Sequence, residues 1–217
     1  MQNHLDIQTI SKQTGISIRE LNRLNQDLWY HGTTIEDAEN IAESGVIANY
    51  NLGAELDFGP GFYLTDTHEH ATSFISRAPI ISHNGVLKKH ASWAVIEFLF
   101  NPYKILFMSG YNYTYRGFPK HNDDFANFVF ENRISNRQIE TPHNYDLIWG
   151  VMSDNNPNQV IHDYKQGSIS YEEAIKLLQK PNSMKQLFVG NQAICNMLKI
   201  NKIYMKEEDQ YEQRILS

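Results

Sequence analysis

The sequence predicts an α+β fold, and three features carry the prediction. SWAVIEFLF, Ser92–Phe100, is a β-rich apolar run of the kind that fills a central strand buried on both faces. Ser170-Tyr171-Glu172-Glu173 is a capping box, serine three residues ahead of glutamate, and opens a helix that runs to Gln179 and stops at Pro181. Thr34–Ser44 has helical spacing, with Ile35, Ala38, Ile41 and Ala42 on one face, Thr34 as cap and Gly45 as end.

Composition narrows the function classes. The chain has 217 residues, of which 41% are hydrophobic, enough for one packed domain with room for a small appendage. No apolar run approaches the ~20 residues needed to cross a bilayer, so no membrane partner is expected. The N-terminus lacks the basic-then-apolar pattern of a secretion signal. Cys195 is the one cysteine, which excludes an intramolecular disulfide and a cysteine-based zinc cage and points to a reducing, cytoplasmic setting. A net charge of -6 argues against broad, charge-driven binding to nucleic acid but leaves room for a local basic groove.

Three divisions follow along the chain: residues 1–27, 28–205 and a charged tail, 206–217. In the first, ISKQTGISIREL has a helix–turn–helix rhythm, with Ser17 as cap of the second helix. Either that second helix contacts DNA, or both helices dock on the domain behind them. Lys12, Arg19 and Arg23 are balanced by Asp6, Glu20 and Asp27, which is poor support for a small DNA-binding regulator.

Beyond Thr34–Ser44, Val46–Leu56 reads as loop. Thr65 or Asp66 caps a helix over Thr67–Arg77 that turns Ala71, Phe74 and Ile75 inward. His68-Glu69-His70 lacks the four-residue spacing of helical metal ligands and reads as a solvated helix start, so no metal is expected. In Tyr103–Asn122 an extended chain would put Tyr111, Tyr113 and Tyr115 on one face, interleaved with Lys104, Arg116, Lys120 and His121. Such a face suits stacked bases and phosphates, or is a tyrosine-rich hairpin packed on the body. Asp123–Ile134 reads as a helix burying Phe125, Phe128 and Val129. Asn144–Ser153 and Met184–Val189 read as strands, Asn191–Leu198 as a helix, and Lys206–Ser217 as a surface helix or frayed end.

The chemistry centres on Asp57–Thr65, DFGPGFYLT, and on Trp29–Thr33, WYHGT. Gly59-Pro60-Gly61 makes a tight turn, which holds Tyr63 of the following aromatic strand in one place. Trp29-Tyr30-His31 reads as a strand ending at Gly32, where a backbone amide can approach a flat ligand. Paired side by side, the two strands would gather His31, Gly32 and Tyr63 on one surface. By composition alone, a histidine beside a glycine is more often a satisfied core residue, and a Phe-Tyr pair is more often core.

The two motifs resemble the bacterial ADP-ribosyltransferase-like group known as DUF3990, within the H-Y-E class that includes the poly-ADP-ribose polymerases. Glu131-Asn132-Arg133, YDLIWGVMSD (Tyr145–Asp154), YKQGSISYEEAIKLL (Tyr164–Leu178) and KQLFVGNQAICNML (Lys185–Leu198) continue the resemblance in order, over roughly Leu28 to Leu198. It implies a split two-sheet fold with surrounding helices, and transfer of ADP-ribose from NAD to a protein or nucleic-acid acceptor. A bacterial toxin or phage-defence effector is the implied setting, with an antitoxin or inhibitor as partner.

By the same resemblance, His31 hydrogen-bonds the adenosine ribose, the Gly32 backbone holds the nicotinamide carboxamide and Tyr63 stacks on the nicotinamide ring. Thr33, Asp57 and Gly61 belong to the NAD-binding set. Arg133 is a candidate for the pyrophosphate, or else forms a surface salt bridge. The third position of the class, usually glutamate, falls on Gln186. A missing charge there is worth roughly 2.7–4 kcal/mol, so Glu131 or Asp57 must compensate if the protein is active. Otherwise it is a non-catalytic module that binds NAD or ADP-ribose. His31→Ala and Tyr63→Ala are each expected to weaken NAD binding or turnover by roughly tenfold or more and leave the melting temperature nearly unchanged.

Overall fold

Two four-stranded sheets, a two-stranded hairpin and surrounding helices make an α+β fold, as the sequence predicts. The computed structural model describes residues 6–14, 16–51, 54, 56–77, 79–81, 87–89, 92–135, 143–153, 156–181, 183–207 and 210–214. In chain order the elements begin with α1 (Ile7–Thr14), α2 (Ile18–Leu24), β1 (Leu28–Thr33), α3 (Ile35–Ser44), β2 (Phe62–Leu64) and α4 (His68–Arg77). Next come β3 (Pro79–Ile81), β4 (Leu87–Lys89), β5 (Trp93–Leu99), α5 (Pro102–Met108), β6 (Tyr115–Phe118) and α6 (Asp123–Ile134). The chain then forms β7 (Leu147–Val151), α7 (Pro157–Lys165), α8 (Tyr171–Leu178), β8 (Lys185–Val189), α9 (Gln192–Cys195), β9 (Lys199–Glu207) and β10 (Gln210–Arg214).

The chain divides into two compact units. The first comprises Met1–Val46, Leu64–Ser109 and Asn196–Ser217, and its sheet has the order β1-β5-β9-β10, antiparallel throughout. β5 takes the centre because its apolar run fills both faces, and Trp93 to Phe98 are all buried. The strand includes one carboxylate, Glu97, which accepts from Asn201 Nδ2 and, at 3.2 Å, from the Tyr204 hydroxyl. α4 packs on β1 and β5, burying Ala71 and Ile75 against Trp93 and Val95. α2 packs on α5 with Leu21 and Leu24 fully buried, so the second N-terminal helix is docked on the first unit.

The second unit comprises Ile47–Tyr63 and Gly110–Cys195, and the second sheet has the order β2-β8-β7-β6. β7 runs antiparallel to β8 and parallel to β6. An aromatic core of Phe58, Phe118, Phe125, Phe130 and Phe188 lies with the apolar sides of α6, α7 and α8. Asn122 caps α6, and Ser170 and Glu173 form the capping box of α8 in both directions.

Several expectations are corrected. β1 and β2 do not pair side by side: β1 pairs with β5, β2 belongs to the other sheet, and only a single bridge joins Tyr30 to Thr65. The start of the tail is neither helical nor frayed: β9 continues to Glu207 and pairs with β10. Tyr103–Asn122 is not one extended segment, because Asn101 caps the helix α5 with Pro102 in its first turn. Three of its four basic side chains meet protein groups: Lys104 pairs with Asp27 at 3.0 Å, Arg116 with Asp124 at 2.6 Å, and His121 meets the Met152 carbonyl. Thr67, not Thr65 or Asp66, caps α4, and Phe74 is exposed, as is Ala42 on α3. The helix expected over Asn191–Leu198 is the single turn α9.

Candidate functional site

The turn that leads into β2 is tied down on both sides of Pro60. Gly59 has φ 79°, a left-handed conformation that glycine takes without strain. Asn51 grips the Gly61 peptide with both ends of its amide, accepting from the nitrogen and donating to the carbonyl, each at 2.9 Å. At Gly61 the constraint is space, since a Cβ there would lie 2.0 Å from the Phe188 ring. The Tyr63 hydroxyl closes the turn, donating to Gly59 O at 2.7 Å and accepting from Phe58 N at 3.1 Å. His143 Nε2 donates to the Phe58 carbonyl at 2.7 Å, which leaves Nδ1 to accept from Tyr145 N at 3.2 Å.

Tyr63 is therefore held as a neutral phenol. Burial, then the charge of Asp57, pushes it well above its ordinary 10.0. Its half-buried ring stacks on Phe58 at 6.4 Å and meets the edge of Phe188 at 5.5 Å.

Behind the turn lies Asp57. Its Oδ1 accepts from Arg133 Nε at 2.9 Å, Arg133 Nη2 at 2.6 Å and Ser153 Oγ at 2.6 Å. Its Oδ2 accepts from Ser153 N at 3.0 Å and Gln186 Nε2 at 3.1 Å. A carboxylate offers about four lone-pair sites, so these donors saturate it. Burial pushes the carboxyl up, but the Arg133 charge and the Ser153 bonds outweigh it and hold Asp57 below its ordinary 3.8. Arg133 also reaches Asn158 of α7, donating to Oδ1 at 2.6 Å. With Arg133 only 9% and Asp57 6% exposed, this is a buried pair and not a surface salt bridge.

The second unit thus brings together Asp57, Gly61, Tyr63, Arg133 and Gln186, from the turn, α6 and β8. Glu131 does not share their burial. It is exposed on α6, two residues from buried Arg133, and side chains two apart leave a helix in different directions.

His31, Gly32 and Thr33 lie on β1 in the first unit. His31 is half-buried and faces Ile96 in register. Gly32 sits where α4 crosses the strand, and a Cβ there would come within 2.5 Å of the Ala71 carbonyl oxygen. Thr33 is buried, with its hydroxyl 3.4 Å from Asp37 at the start of α3. On the α4 side of the same strand, burial, then the Glu97 charge, pushes the Tyr30 phenol up to about 12.

The sequence matches, over residues 29–200, the family described as a protein of unknown function, DUF3990. This chain belongs to the DUF3990 family. No curated protein matches it. The matched span of this DUF3990 protein includes all of the residues just described. Among the described residues, no group of three or more His, Cys, Asp or Glu is placed to hold a metal ion, and no helix is long and apolar enough to cross a membrane. Burial pushes the Cys195 thiol up to about 12, so it carries no thiolate at neutral pH.

Sequence reasoning missed Asn51, His143, Ser153 and Asn158. Ser153 had one available signal, its place at the end of the apolar β7 run, where a strand hands its chain to the adjoining loop. Asn51, His143 and Asn158 had none, since each acts on a group distant in sequence.

Proposed function

We propose that this DUF3990 protein transfers ADP-ribose from NAD to a macromolecular acceptor, protein or nucleic acid. The observation that carries the reading is the convergence of Asp57, Gly61, Tyr63, Arg133 and Gln186 on one hydrogen-bonded and packed group. These are residues to which the resemblance assigns NAD, and no local sequence rule requires Arg133 of α6 and Gln186 of β8 to meet the turn that carries the other three. Breaking the nicotinamide–ribose bond needs a fixed ring, an oriented ribose and little reorganisation as positive charge develops. Tyr63 supplies a ring immobilised through its hydroxyl, and Gln186 an amide fixed by Asp57.

The test is incubation of the protein with NAD labelled in its adenylate half, together with a cell lysate. Label entering protein or RNA supports the reading and identifies the acceptor class. Absence of NAD binding at millimolar concentration overturns it.

A second reading, binding of NAD or ADP-ribose without turnover, is favoured by one specific observation. Position 186 carries no charge, and the nearest carboxylate, Asp57, is neutralised by Arg133 and saturated with donors. In that case NAD binds, and label enters neither protein nor nucleic acid.

A further inference from the structure

We infer that Asp57 is a positioning residue that fixes the amide of Gln186, so that Oε1 is offered to a hydroxyl of the ligand, and that this pairing excludes glutamate from position 186. A carboxylate can only accept hydrogen bonds. The Gln186 amide must therefore turn its nitrogen toward Asp57, as the 3.1 Å bond shows, and Oε1 is left on the other side. The bond to Asp57 is the only one its side chain makes among the described residues, although Gln186 is just 6% exposed. Oε1 takes no donor from those residues yet is not sealed from solvent, so a ligand that brings an O–H can reach it.

The charge balance points the same way. Among the described residues, the buried cluster holds one guanidinium and one carboxylate. A glutamate at position 186 would set a second carboxylate against Asp57, and two such groups cannot both stay ionised in a dry site. The absence of the class's usual glutamate is thus a consequence of Asp57, because amide and carboxylate form a matched pair carrying a single charge. The identity of the ligand as a ribose-bearing nucleotide rests on the proposed function. The pairing of Asp57 with Gln186 does not.

The experiment is a mutant cycle read in two ways. Melting temperatures of wild type, Gln186→Glu, Asp57→Asn and the double variant are measured from pH 5 to 8, without ligand. At pH 8, Gln186→Glu should melt roughly 10 °C below wild type. The carboxyl that Gln186→Glu introduces has its folded pKa raised, so the deficit shrinks as the pH falls toward 5 and grows as the pH rises. Introducing Asp57→Asn into Gln186→Glu should raise its melting temperature, whereas in wild type Asp57→Asn lowers it. Gln186→Glu melting like wild type at pH 8, or additive effects in the double variant, would overturn the pairing.

The second readout is NAD affinity by calorimetry. Gln186→Met keeps the volume and removes the amide; it should retain the fold and bind NAD roughly tenfold more weakly or worse. Unchanged affinity in Gln186→Met would overturn the role of Oε1. A wild-type protein that binds no NAD would instead remove the proposed function, and the melting cycle would still decide the pairing.

Discussion

At residue scale, Tyr63 has two roles that experiment can separate. Its hydroxyl satisfies the Gly59 carbonyl and the Phe58 amide, and its ring packs against the aromatic core. The expectation that a ligand-facing tyrosine carries little of the core therefore does not suit this one. Tyr63→Phe should lower stability by about 1–3 kcal/mol in urea titrations, since two backbone groups lose their partner. Asp57→Ala should cost more, about 3–5 kcal/mol, because it breaks a buried pair by removing one partner. The pH dependence has a definite sign. The folded pKa of Asp57 is held below 3.8, so its contribution is complete above the unfolded value and is lost as pH falls through the folded one. Asp57→Asn should flatten the acid limb of the stability curve. Asp57, Gly61 and Tyr63 were legible because a tight turn has a local signature. Ser153, separated from Asp57 by 96 positions, was not.

At the scale of elements, the sequence disclosed those whose signals are local and missed those defined by partners. Caps revealed α3 and α8, and an unbroken apolar run revealed β5. β9 was missed because lysines and an asparagine interrupt its apolar residues, yet Ile203 and Met205 alternate into the core with a period of two. α7 was missed although Pro157 opens it and Val160 and Ile161 are buried. In the tyrosine-rich stretch the alternation was a fair guide beyond α5, where the rings of Tyr111 and Tyr113 lie 5.5 Å apart, while Lys104 falls on the helix before them. Gly32 is the case where element and ligand readings compete. Gly32→Ala pushes a methyl into the Ala71 carbonyl, so it should prise α4 from β1 and cost about 1–3 kcal/mol. A melting scan checks this. An unchanged melting temperature with lost NAD affinity would show that Gly32 answers to the ligand alone.

At the scale of the whole molecule, the two units interleave along the sequence, since the second takes Ile47–Tyr63 from between two segments of the first. That short segment brings three things that Gly110–Cys195 lacks. Asp57 neutralises Arg133, Phe58 lies fully buried against Phe118, Phe125, Phe128 and Phe188, and Phe62 and Tyr63 form most of β2. Such an arrangement depends on contacts distant in sequence, which composition and periodicity do not report. It has a direct consequence for folding. A fragment of residues 110–195 alone would lose the carboxylate that Arg133 meets and hold a cavity the size of a phenylalanine, and the latter by itself costs about 3–5 kcal/mol. A domain's net stability is about 5–15 kcal/mol, and the two losses together are of that size. The fragment should therefore give poorly dispersed amide resonances, and a synthetic peptide of residues 47–65 added in trans should restore dispersion. The same peptide with Asp57→Ala and Phe58→Ala should fail to do so. A fragment well folded without any peptide would show that the Asp57 turn is an attachment to the second unit and no part of what holds it together.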